Sequence, residues 1–167
     1  MTDQYGLTAR VRGDLSDEWF ALTGRLVHVT ALVEEQVLVL CSVLSGRQLI
    51  DVQRERVTEA ISRCRSTMTT LPADDQSVIA SWIDGVSTLR SYRHDIVHGL
   101  WPNETFSHRS PMSKHGGTES GSDGRVVVVQ HSVERLQEEV LRGVALVVRG
   151  NEMAARAQSP RLATDVV

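Results

Sequence analysis

Apolar positions recur at helical spacing through most of the chain. Trp19, Leu22, Leu26, Val29, Val33, Val37, Leu40 and Leu44 form one stripe, and Phe20, Val27, Leu32, Leu38, Val39 and Val43 widen it. Ser16 suits an N-cap, Asp17 and Glu18 favour the positive end of a helix, and Ser45-Gly46 closes the run near Leu44. A helix apolar over so much of its circumference must be covered on more than one side, by its own bundle or by a partner subunit. A second helix is predicted from an Asp51 cap to about Thr69, with Val57, Ala60, Ile61, Cys64 and Met68 inward, before Leu71-Pro72 breaks the pattern. A third opens at Asp74 or Asp75 and buries Val78, Ile79, Trp82, Ile83, Val86, Leu89, Ile96 and Val97. Gly99 is a natural residue to end it, and Pro102 prevents it from resuming.

Beyond this point the helical period stops. Residues 103–124 are rich in Ser, Gly, His and Pro and read as a flexible loop. Arg125–Gln130 reads as a strand, and pairing with Leu100-Trp101 would make a small β-hairpin. Ser132 then caps a fourth helix with Val133, Leu136, Val140, Val144 and Val147 on one face, running through Met153 to about Ala157. The expected fold is all-α: a four-helix bundle with a β-hairpin inserted between helices 3 and 4. An arm over 1–15, one helical domain over 16–157 and a frayed tail over 158–167 complete the organisation.

Composition narrows the function. A chain of 167 residues suits one domain, and 41% hydrophobic with 23% charged residues reads as globular. A net charge of -3 argues against a generally basic nucleic-acid binder, so any RNA affinity has to be local. One window qualifies. Five of the six histidines fall between His94 and His131, with Arg90, Arg93, Arg109, Lys114 and Arg125 against Asp95, Glu104, Glu119 and Asp123. Cys41 and Cys64 sit in separate apolar patterns and read as small buried hydrophobes of a reducing compartment. The N-terminal residues lack the apolar core of a signal peptide, and no apolar run approaches the roughly 20 residues that cross a bilayer. The expectation is a cytoplasmic protein with no membrane contact.

The chemistry concentrates in Tyr92-Arg93-His94-Asp95-Ile96-Val97-His98-Gly99-Leu100-Trp101. Stepping by four from Leu89 lands on Arg93, a position that the apolar stripe assigns to the buried face. Metal-free RNA cleavage needs a base for the 2′-hydroxyl, an acid for the leaving 5′-oxygen and positive charge on the phosphorane. His98 suits proton transfer and Arg93 the electrostatic role. A five-residue step turns side chains about 140° apart, so the two converge only if the helix relaxes at its end or two subunits share the site. Other readings stand beside this one. Arg93 could pair with Glu34 or Glu35 inside the bundle, and His98 could bond helix-terminal carbonyls. His94 and His98 could hold a metal from one helix face, though no third ligand is evident. Asp95 could orient a histidine or stand exposed. Arg109/His115 and Arg125/His131 satisfy the same loose spacing without lying at a helix end.

The run from Arg93 to Trp101 resembles the arginine–polar–x–x–x–histidine signature of the HEPN superfamily. The likeness covers roughly residues 17–157 if the helix order matches. It implies an all-α bundle, usually dimeric, with metal-independent endoribonuclease activity in toxin–antitoxin, phage-defence or RNA-processing systems. By that likeness Arg93 and His98 are the catalytic pair, supported by His94 and Asp95, and both subunits contribute to the site. No cofactor and no metal are expected. RNA, a second copy and an antitoxin protein are the expected partners. The signature's polar position is most often asparagine and here is His94. The tyrosine found two residues after the histidine in toxins regulated by nucleotidyltransferases is here Leu100. The alternative within the same family is a non-catalytic module that binds a nucleotide or a protein, or dimerises.

Overall fold

The computed structural model describes residues 15–98 and 131–162, with side chains to residue 158. It contains α1 (Asp17–Ser45), the short α2 (Leu49–Val52), α3 (Val57–Thr67), a 3-10 turn at Met68–Thr70, α4 (Ala73–His98) and α5 (Val133–Leu162). Three of these boundaries follow from caps. The Ser16 side chain accepts a hydrogen bond from the Trp19 amide at 3.1 Å. Gly46 closes α1 in the left-handed region at φ 68°, where a Cβ would be strained. Ser132 accepts from the Arg135 amide at 3.1 Å and starts α5.

Three expectations are corrected. No strand occurs among the described residues, so the described fold is helical throughout and the predicted β-hairpin is not part of it. Its segments, Leu100-Trp101 and Arg125–Gln130, lie outside the described residues, as do the loop 103–124 and residues 1–14 of the arm. The single helix expected from Asp51 to Thr69 is divided. Asp51 belongs to α2, and α3 starts at Val57 with Arg56 as its N-cap. Between them, Glu55 pairs with Arg47 and Arg63 in a charged clasp. Finally, α5 continues past Ala157 to Leu162, so the tail begins later than the sequence pattern suggests.

α1 is the central element. Its buried residues include Trp19, Leu22, Leu26, Val33, Val37, Leu40, Cys41 and Leu44, and α3, α4 and α5 all pack on it. By length and composition α1 could also cross a bilayer. In this fold its apolar girth is what allows three helices to share one core. Contacts along the helices give their directions. Val29 meets Gly143, and Gln36 reaches Val147 and Gly150, so α1 and α5 run parallel. Asp75 meets Arg156, Trp82 meets Leu146 and Leu89 meets Gly143, so α4 runs antiparallel to α5. Cys64 of α3 lies against Val37 of α1, its thiol facing the carbonyl oxygen at 4.0 Å. Burial pushes both cysteine thiols well above the ordinary range, which keeps them protonated and inert.

Gly143 sits where the three long helices touch. A Cβ there would lie 2.7 Å from Val29 Cγ2 and 3.2 Å from Leu89 Cδ2. This common layer fixes the register of one end of the bundle. From it α4 extends nine residues to His98, α5 ten residues back to Val133, and α1 twelve residues back to Asp17. At about 1.5 Å per residue these ends finish within roughly one helical turn of each other. One end of the bundle therefore gathers the start of α1, the finish of α4 and the start of α5.

Candidate functional site at the end of α4

The final turns of α4 present the sequence-predicted residues at that gathered end. Arg93 and Asp95 are half-buried, His94 and His98 are exposed, and Ile96 between them is 2% exposed. Ile96 anchors the last turn to the core, because its face is the one that Leu89 and Val86 also bury. The two imidazoles stand beside each other, with ring centroids 4.6 Å apart and planes tilted by 49°. Regular helical geometry produces this pairing, since residues four apart share a face.

The structure decides between the partners proposed for the arginine. Glu34 is taken by Arg90, whose Nε donates to Glu34 Oε1 at 2.6 Å. Among the described residues Arg93 has no ion pair, neither with Glu34, which its neighbour one turn earlier occupies, nor with Glu35. α4 stays α-helical through His98. Relaxation of the helix end before His98 therefore does not bring Arg93 and His98 together. Within one chain they remain on faces about 140° apart.

A group that the sequence reading did not assign lies directly behind these residues. The Tyr92 ring meets the His131 ring edge-on at 5.0 Å. His131 is 4% exposed and Glu139 1% exposed. The Glu139 carboxylate is paired with Arg135 at 2.5 Å and Arg142 at 3.3 Å. The Tyr92 hydroxyl is buried without a hydrogen-bond partner among the described residues. Burial, then the charges of Glu139 and Asp95, holds the phenol above its ordinary range, so it is no base at neutral pH. The sequence carried a signal for Glu139. It occupies a buried position between Leu136 and Val140, much as Arg93 does after Leu89. Nothing in the pattern marked His131, which precedes the Ser132 cap and docks through its ring.

The start of α1 contributes Asp17 and Glu18, and the start of α5 contributes Glu134. These acids complement the two helix N-termini at this end of the bundle. The backbone and Ser132 hydrogen bonds to Glu134 keep its carboxyl below the usual carboxylate range. Cationic and titratable groups thus lie on α4, and acidic groups flank them on α1 and α5. Among the described residues no three His, Cys, Asp or Glu side chains converge as a metal site. The chain matches no protein-family model, no curated protein and no solved structure.

Proposed function

We propose that this protein is a metal-independent endoribonuclease of HEPN type, acting in a toxin–antitoxin or phage-defence setting, whose site forms between two copies of the chain. The observation that supports it most is Arg93: a guanidinium at a position of the buried phase, next to exposed imidazoles, with no carboxylate partner among the described residues. Such a cation offers its planar fork of donors to phosphate oxygens.

In the reaction, the 2′-oxygen attacks the adjacent phosphorus as its proton is removed. The bond from phosphorus to the 5′-oxygen breaks, and a proton is delivered to that oxygen. The products are a 2′,3′-cyclic phosphate and a free 5′-hydroxyl. His98 moves the protons, Arg93 of the other copy neutralises the phosphorane, and His94 and Asp95 support them. The 140° separation within one helix is the reason for assigning the pair to two copies.

Purified protein is expected to cut single-stranded RNA in EDTA, leaving cyclic phosphate ends or their hydrolysed form. His98→Ala is expected to lower the rate by about 10²-fold or more, the range that general acid–base groups supply. Because His98 is exposed, its unfolding midpoint is expected to stay near the parent's. Mixing inactive Arg93→Ala with inactive His98→Ala protein and allowing exchange is expected to restore cleavage, since one hybrid site receives both intact groups. Intact RNA under all these conditions would overturn the proposal.

The acidic residues at the starts of α1 and α5 favour a second reading, a non-catalytic module that dimerises or takes a protein partner such as an antitoxin. Phosphate would have to approach along α4 alone to avoid them. Dimerisation without RNA binding would select this reading.

A further inference from the structure

We infer that His94 and His98 form a chelating site for a borderline divalent transition-metal ion, and that its occupation inhibits the protein. Both imidazoles are exposed and stand one turn apart with centroids at 4.6 Å. Neither has a hydrogen bond or ion pair among the described residues, so their nitrogens are open to a ligand. An ion bound at about 2.0–2.1 Å by both, in tetrahedral geometry, needs its two nitrogens about 3.3 Å apart. Two neighbouring side chains on one helix face reach that spacing by small rotations about their own bonds.

The chemistry also sets what kind of ion fits. Two neutral imidazoles favour Cu²⁺, with Ni²⁺ and Zn²⁺ weaker, and offer nothing to Mg²⁺, which demands oxygen ligands. No third protein ligand joins among the described residues. The remaining positions would go to water, which makes the ion exchangeable rather than structural. The ion would occupy a nitrogen lone pair of His98, and that nitrogen could then neither take nor give a proton. Binding stands independently of the nuclease reading, whereas the inhibition rests on it.

The test is calorimetric titration of the full chain, first stripped with EDTA and freed of it, with Zn²⁺ alone. One saturable site per chain is expected. His94→Ala and His98→Ala should each weaken it at least about tenfold, since losing even an outer-shell partner of a metal ligand costs about 10- to 100-fold. His28→Ala, on exposed α1 surface, should leave it unchanged. No saturable binding, or binding that survives both substitutions, would overturn the inference. In parallel, Zn²⁺ should stop RNA cleavage by the parent protein and Mg²⁺ should not. Zn²⁺ bound without any RNA cleavage at all retains the metal site and removes the nuclease reading. Cleavage indifferent to bound Zn²⁺ removes the inhibition.

Discussion

Two arginines one helical turn apart have different fates. Arg90 reaches Glu34 and stitches α4 to α1, while Arg93 is left without a carboxylate among the described residues. Sequence periodicity located Arg93 in the buried phase, but which of the two would find Glu34 depended on the rotation of α4 against α1. That rotation is set by packing and not by spacing along one helix. The same holds for Tyr92. Its hydroxyl is buried without a partner among the described residues and faces the charge of Glu139. Tyr92→Phe removes a desolvated polar atom while keeping the ring against His131. It is expected to stabilise the fold by about 1 kcal/mol, read from denaturant unfolding, because an unsatisfied buried hydroxyl costs about 1–3 kcal/mol. A variant less stable than the parent would show that the hydroxyl is satisfied in solution.

At the level of elements, the three long helices were legible because each buries a continuous stripe. Their closest approach was not, because it depends on a missing side chain. Gly143 lets α5 sit against both Val29 and Leu89. Gly143→Ala is expected to cost about 1–3 kcal/mol by overpacking. Gly24, on the exposed side of α1 with open space around it, is the control. There alanine is expected to add about 0.5–1 kcal/mol, the ordinary helical preference. Equal effects at both glycines would contradict the packing described. The divided second helix was also illegible, and Glu55 beside its break meets Arg47 and Arg63, contacts that helical spacing does not announce. The hydrogen bond from Arg47 holds the Glu55 carboxyl below its ordinary range. A lowered folded value means stabilisation that is complete above the unfolded value of about 4.3 and fades as pH falls through the folded one. Between pH 7 and pH 3 the unfolding midpoint of Glu55→Gln should therefore fall less than that of the parent. A parallel decline would remove the clasp from the ledger of acid sensitivity.

Across the described residues, parallel packing of α1 and α5 with α4 antiparallel against both brings three helix ends to one pole. The predicted site residues, Arg93 to His98, already lie in one stretch of α4, and what the convergence adds is the starts of α1 and α5 beside them. It also explains why the candidate chemistry is incomplete in one chain. An uninterrupted α4 holds its arginine and its histidine on different sides, and on the proposed reading a second copy supplies the missing half.

The same topology has a consequence during synthesis. Among the described helices the most apolar, α1, is made first, and the one most extensively docked along it, α5, is made last. More than a hundred residues separate the end of one from the end of the other, which at about 5–20 residues per second leaves the α5-facing side of α1 uncovered for several seconds to about twenty. Truncating α5 should therefore send newly made chains to inclusion bodies.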